Sequence, residues 1–208
     1  MKHTFPAICF ACISIMLLLS QCAGDASEAE TKISNASSTN PAFGGFASQV
    51  EWGRHIVTIS GCHDCHTPKK MGPNGPELDS SLLLSGHPSK TPPPDVNRAE
   101  IESKGLIVTN TLTAWGGPWG ISYAANLTSD PSGIGGWDES NFITALREGK
   151  SKGVKSARTL LPPMPWQMFK NMTDGELKAI FAYLKSTKPV KNIVPNPQSP
   201  VLASKKSG

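Results

Sequence analysis

Hydrophobic and polar positions follow a helical period in three segments of the chain. The first segment covers about residues 48–60. The second is predicted to begin after Asp138 and to stop at Gly149, because Asp favours a helix N-cap and Gly a helix C-terminus. The third begins at Thr173, which is spaced to form a capping box with Glu176. The apolar stripe of this last segment consists of Leu177, Ile180, Phe181 and Leu184.

A long segment rich in Pro and Gly, residues 69–134, separates the first two helices and is called the insertion below. Two runs within it, 106–113 and 121–127, carry β-branched and aromatic residues. They flank the turn-like sequence Trp115-Gly116-Gly117-Pro118, so a small β-hairpin is predicted there. After Pro189 the chain holds further prolines and is expected to be extended along the domain surface.

The N-terminus has the pattern of an export signal. A positively charged start precedes an apolar run, residues 7–19, that is shorter than a membrane-spanning helix. Leu19-Ser20-Gln21-Cys22 follows and resembles a bacterial lipoprotein box, although Gln21 departs from the small residue usual at that position. We predict a signal peptide over residues 1–21 and lipid attachment at Cys22. The alternative is an ordinary secretory signal that is cut near Cys22, and both interpretations export the chain.

Composition divides the remainder of the chain into three parts. Residues 22–42 contain almost no large apolar side chains and cannot bury enough surface to fold, so we predict a flexible, lipid-anchored tether. The globular domain is predicted over residues 43–195 and an extended C-terminal tail over 196–208. The net charge of +4 comes from scattered basic residues, which excludes a nucleic-acid-binding surface as the main function.

The candidate chemistry lies in Cys62-His63-Asp64-Cys65-His66. Two cysteines three residues apart on a helical turn can form thioethers with the two vinyl groups of one porphyrin, and the adjacent His66 then lies under the iron. The chain has five cysteines, and the other three fall in the predicted signal or at the predicted lipid site: Cys9, Cys12 and Cys22. One such motif predicts one covalently bound haem c.

Other proteins also use two cysteines at this spacing. A zinc site would need a second Cys/His pair at compatible spacing, which the sequence lacks. A thiol oxidoreductase of the thioredoxin type would need a βαβ context, which is also absent. Haem attachment is therefore the favoured interpretation.

The sixth iron ligand is expected to come from a distant segment, because it approaches the haem face opposite the proximal histidine. Met164 lies in Leu161-Pro162-Pro163-Met164-Pro165-Trp166, where three prolines reduce the entropy cost of holding a thioether near the iron. We predict Met164 as the ligand, with His87 as the alternative. Outside the predicted signal, the other methionines are explained by proximity to the haem motif or by packing: Met71, Met168 and Met172.

Six segments carry a resemblance to a known family: residues 61–68, 82–88, 125–128, 133–137, 162–166 and 173–186. In these segments the chain resembles a class I (mitochondrial-type) cytochrome c, in particular the monohaem bacterial lipoproteins with a long insertion after the haem motif. The resemblance covers most of the chain from about Val50 to Pro195. The haem motif and the Pro-Met-Pro sequence are its specific parts.

The resemblance implies an all-α fold in which the N- and C-terminal helices cross, here near Gly53 and Tyr183, around one covalent haem, with a small β-hairpin in the insertion. It also implies axial ligation by His66 and Met164. In such proteins a proline carbonyl after the haem motif orients the proximal histidine. Two prolines are candidates for this role: Pro73 and Pro76.

The function implied is single-electron transfer outside the cytoplasm rather than catalysis. We predict a carrier on the periplasmic side of a bacterial membrane or at the cell surface, anchored through Cys22, that exchanges electrons with redox partner proteins. One alternative is an electron-transfer subunit of a periplasmic dehydrogenase or oxidase complex. Others are a haem enzyme or gas sensor with an open sixth iron position, and a scaffold in which the haem only stabilises the fold.

Overall fold

A computed structural model describes residues 41–201. The predicted signal peptide, Cys22, nearly all of the tether and the last residues of the predicted tail lie outside the described residues. The helices are α1 (Gln49–Ile59), α2 (Cys62–His66), α3 (Arg98–Lys104), α4 (Glu139–Arg147), α5 (Trp166–Phe169) and α6 (Asp174–Ser186). The strands are β1 (Lys69–Gly72), β2 (Gly75–Leu78), β3 (Ala114–Gly117) and β4 (Gly120–Tyr123). Short 3₁₀ turns occur at Pro41–Phe43 and Ser151–Gly153.

The three helices predicted from periodicity are present as α1, α4 and α6, and the last two begin with the expected capping side chains. Asp138 accepts a hydrogen bond from the Asn141 backbone N–H, and the Asn141 side chain accepts one in return from the N-cap N–H. Thr173 and Glu176 form the same reciprocal arrangement in front of α6. Each box satisfies N–H groups that would otherwise lack a partner inside the helix.

The first and last of these helices cross at Gly53, as predicted. A Cβ atom at this position would lie 1.9 Å from the Ala179 carbonyl oxygen and 2.9 Å from the Tyr183 Cβ. Only a glycine therefore allows the two backbones to come this close. The core around the crossing consists of Ile56, Val57, Leu84, Ile134, Phe142, Leu146, Leu177, Ala179, Ile180 and Leu184.

The strands form two separate antiparallel hairpins, β1–β2 and β3–β4. The described residues are thus helical with two small sheets, whereas the sequence predicted an all-α fold with one hairpin. The hairpin predicted in the insertion is present as β3–β4, and the predicted run 121–127 overlaps β4 at Ile121–Tyr123. The predicted run 106–113 lies before β3, because the glycines taken for a turn belong to that strand. A Cβ atom at Gly116 would lie 2.9 Å from the Ile101 Cδ1, so a larger residue in this strand would require the Ile101 side chain of α3 to move.

The C-terminal segment, residues 187–201, lies along the insertion. Ile121 and Gln198 exchange backbone hydrogen bonds of 2.9 and 3.0 Å. The Asn192 side chain donates to the carbonyls of Ser85 and His87 at 2.7 and 2.9 Å. The segment therefore fastens the insertion to the rest of the domain. Between residues 41 and 201, no helix has the length and apolar character needed to cross a bilayer.

Candidate haem-attachment site

The haem motif forms a short helix of its own, α2, directly after α1. Gly61 joins the two helices with φ +66° and ψ 23°, a left-handed conformation that a glycine adopts without steric cost. This turn leads directly into α2, where the two cysteines and the histidine of the motif lie on about one and a half helical turns. The chain direction set by Gly61 thus places all three predicted attachment residues within one compact element.

Cys62 and Cys65 are free thiols, and each is half-buried. Burial raises the pKa of the Cys62 thiol to about 11, and burial also raises the pKa of Cys65. A reactive cysteine instead has a lowered pKa that favours the thiolate, so the raised pKa of both thiols opposes a redox-active pair. Among the side chains that the structure describes, no group of three or more His, Cys, Asp or Glu residues is placed to hold a metal ion.

His66 is buried, with 8% of its surface exposed. Its Nδ1 lies 2.8 Å from the Ala125 carbonyl oxygen. Because a carbonyl only accepts, Nδ1 carries a proton, and in the neutral ring Nε2 then keeps its lone pair. Burial lowers the pKa of His66, which also favours the neutral ring. A neutral imidazole with a fixed tautomer is the form that ligates iron, so these residues fit a haem.

The partner of His66 corrects the expectation that a proline orients it. Pro73 and Pro76 belong to the β1–β2 hairpin, where Pro76 pairs with Met71. The carbonyl that holds the ring comes from Ala125, which is 59 residues further along the chain. Nothing in the local sequence indicates this contact, because it depends on how the insertion returns to α2.

A second segment of the insertion, residues 84–86, holds the end of α2 beside the Ala125 contact. Gly86 N–H donates to the His66 carbonyl at 2.8 Å, and the Leu84 N–H donates to the Thr67 hydroxyl at 2.9 Å. A Cβ at Gly86 would lie 2.5 Å from the carbonyl carbon of Ala125, so this glycine lets the two segments touch. The backbone around His66 is therefore fixed from two sides.

Lys69 is a site residue that the sequence analysis missed. Its Nζ donates to the carbonyls of His63 at 3.2 Å and Thr67 at 2.7 Å, and also to that of Asp64. These are carbonyls at the end of α2, and a cation there also suits the negative end of the helix. A lysine placed just after a short helix is the only signal that the sequence offers for this role.

The methionines differ in their surroundings. Met164 is partly buried and packs against the hydrophobic core, as Cys62 does from a different segment of the chain. Met71 and Met168 are 78% and 70% exposed. Met172 also packs against the core, directly before the N-cap of α6, in agreement with a packing role. Met164 is thus the methionine of the Pro-rich loop that faces the core.

His87, the alternative ligand, is completely buried and both of its ring nitrogens are engaged. Its Nε2 donates to the Thr91 carbonyl at 2.9 Å, and its Nδ1 accepts from the Thr113 hydroxyl at 2.9 Å. The ring also contacts Tyr123, with centroids 4.9 Å apart. These contacts give His87 a structural role inside the insertion and disfavour it as an iron ligand.

No family model matches the chain. The chain is 30% identical over 159 residues to a nicotinate dehydrogenase component of Pseudomonas putida, which is 76% of this chain and 10% of that protein. It is 34% identical over 143 residues to the cytochrome c subunit of alcohol dehydrogenase (quinone) of Gluconobacter oxydans, 68% of this chain and 22% of the relative. It is 35% identical over 86 residues to the fructose dehydrogenase cytochrome subunit of Gluconobacter japonicus, 40% of this chain and 17% of that protein.

The chain therefore spans between 10% and 22% of the length of these relatives. Two of these three relatives are cytochrome subunits of dehydrogenases, and so are further relatives, among them the cytochrome c subunit of a gluconate 2-dehydrogenase. They support the prediction of a c-type cytochrome and confirm covalently bound haem c as the cofactor, while the number of haems stays a prediction. They agree equally with a free electron carrier and with an electron-transfer subunit.

Proposed function

We propose that this chain is a monohaem class I cytochrome c that transfers single electrons outside the cytoplasm. The observation that carries the proposal is the setting of His66, a buried imidazole whose Nδ1 lies 2.8 Å from the Ala125 carbonyl oxygen. His66 directly follows Cys65 on the short helix α2, which also carries the other half-buried thiol, Cys62. The two thiols can form thioethers with a haem, and the histidine can ligate its iron.

The residues of the chain have separate tasks in this function. When bound, the haem supplies an iron that cycles between Fe(II) and Fe(III). Cys62 and Cys65 fix its position covalently, and His66 and Met164 are the proposed axial ligands. The Ala125 hydrogen bond and the core packing of Met164 would hold both side chains in place, so little of the protein would need to move during electron transfer. Ligation by Met and His raises the reduction potential relative to two histidines.

The subunit alternative is supported by the relatives, since their names place cytochrome c chains in dehydrogenases for alcohols, fructose and gluconate. We propose a dehydrogenase as the electron donor in either case. The enzyme or gas-sensor alternative requires an open sixth position, and the core-facing Met164 opposes it.

We expect the exported protein to titrate as one centre that takes up one electron, since one haem motif is present. Reduced protein should bind carbon monoxide slowly and weakly, because Met164 would have to leave the iron first. A potentiometric titration followed by carbon monoxide addition measures both. Two redox waves would contradict the single haem, and rapid stoichiometric carbon monoxide binding would replace the carrier by a sensor or enzyme.

Lipid attachment at Cys22 remains part of the proposal, although this residue lies outside the described residues. If the predicted tether of about 20 residues is a random coil, its root-mean-square span is roughly 25 Å, which would let the domain reach a partner while it stays at the membrane. Wild-type protein should partition into the detergent phase, and Cys22→Ser should move to the aqueous phase. Aqueous partitioning of both proteins would show that the signal is an ordinary secretory one.

A further inference from the structure

Strand β4 and the residues after it lie between the two segments that carry the proposed axial ligands. On one side, the Ala125 carbonyl accepts the hydrogen bond of His66. On the other side, the hydroxyl of Ser122 donates to the Pro162 carbonyl at 2.6 Å, two residues before Met164. Residues only three positions apart in the insertion thus contact both ligand segments.

The donor direction of the Ser122 hydroxyl is fixed by a neighbour. The indole N–H of Trp119 lies 3.0 Å from the Ser122 Oγ and can only donate. The Ser122 oxygen therefore accepts from Trp119 and turns its own proton towards the Pro162 carbonyl. Ser122 is only 5% exposed, so water does not compete well for either bond.

The loop that receives this hydrogen bond has few donors of its own. Between residues 161 and 166, three prolines lack a backbone N–H. The Met164 N–H makes only a long contact, 3.3 Å, with the Leu161 carbonyl. A loop of this composition is held mainly through bonds that its carbonyls accept, and the bond from Ser122 is one of these.

The anchor itself is rigid. Ser122 pairs with Trp115 in the β3–β4 hairpin, and the neighbouring Ile121 is bridged to Gln198 on the other edge of β4. Ala124 N–H donates to the Thr113 carbonyl at 2.9 Å directly after the strand. A hydroxyl on such a strand can hold a loop in place instead of following it.

We propose that Ser122, oriented by Trp119, is a positioning residue that holds the Met164 loop against the iron. Strand β4 and the residues directly after it then position both proposed axial ligands, one through Ser122 and one through the Ala125 carbonyl. This inference rests on the proposed ligation by Met164. The bond between a thioether and Fe(III) is weak, so an external ligand that competes for the sixth position reports how firmly the loop is held.

The test measures imidazole binding to the oxidised holoprotein through the loss of the far-red sulfur-to-iron charge-transfer band. Ser122→Ala should bind imidazole roughly 2- to 10-fold more tightly than wild type, which corresponds to the loss of one net hydrogen bond. Trp119→Phe, which keeps an aromatic ring and removes the N–H, should shift the affinity in the same direction by less. Both variants should keep the thioether-attached haem.

Ser129→Ala is the matched control, because the Ser129 hydroxyl also donates to a backbone carbonyl at 2.6 Å, that of Thr187, away from both ligand segments. It should bind imidazole as wild type does. An unchanged affinity in Ser122→Ala, or an equal change in Ser129→Ala, overturns the positioning role while wild type still shows the band. Absence of the band in wild type instead refutes Met164 ligation, and the positioning role with it.

Discussion

Replacement of both Cys62 and Cys65 by serine is expected to leave the exported protein without covalent haem. Serine cannot form the thioether, and both thiols lie in the helix that also presents His66. Among the described residues, the core around the helix crossing is small, and Cys62 packs directly against it. A haem that is bound only by the folded state stabilises that state, so the double variant should also be less stable.

Haem staining after denaturing electrophoresis measures the first effect, and the amount of exported protein measures the second. The stain should vanish, and the protein should accumulate several-fold less, since a loss of about 1–2 kcal/mol already changes abundance by that much. Each single variant should retain stainable haem through the remaining thioether. Cys12→Ser removes a cysteine of the other C-x-x-C pair, in the predicted signal, and should retain full staining. Undiminished staining in the double variant would show that the haem is attached elsewhere.

The helices could be predicted because their signals are local. Asp138 and Thr173 cap the helices that follow them through contacts with residues three positions away, and such contacts do not depend on the rest of the fold. The crossing at Gly53 was also accessible, although only through the resemblance to a known family. Sequence alone does not indicate which carbonyl the missing Cβ would meet.

The insertion was harder to predict because its contacts are distant in sequence. Gly116 and Gly117 suggest a turn by composition, yet both are buried strand residues. The tight turn instead lies at Pro118 and Trp119, and Gly120 follows with φ +93°. Burial against α3 and the C-terminal segment outweighed the local preference of these glycines.

The candidate site also contains a part that the sequence predicts and a part that it does not. The attachment residues are contiguous, so the motif identifies them together. The Ala125 carbonyl and the Ser122 hydroxyl reach the ligand segments across 59 and 40 residues, and no spacing rule indicates either contact. What the sequence could not provide is therefore the surroundings that hold the ligands in place.

Replacement of Met164 by alanine is expected to change the iron site strongly and the fold only slightly. The thioether should be lost as the sixth ligand, and the far-red charge-transfer band of oxidised protein should disappear. Water, azide or carbon monoxide should then bind at the open position. The midpoint potential should fall by on the order of 0.1 V, within the range of about 0.8 V that axial ligands span. Because Met164 is only partly buried, the loss of stability should stay below about 2 kcal/mol.

Two variants separate ligation from stability. Met168 lies in the same region of the chain and is 70% exposed, so Met168→Ala should keep the band, the potential and the stability. His87→Ala should keep the band but lose about 1–3 kcal/mol, because the Thr91 carbonyl and the Thr113 hydroxyl would lose a buried partner. Absorption spectra, ligand titrations and thermal unfolding of the three holoproteins decide the matter. Retention of the band in Met164→Ala would show that this sulfur is not the ligand, and its loss in His87→Ala would return the histidine to that role.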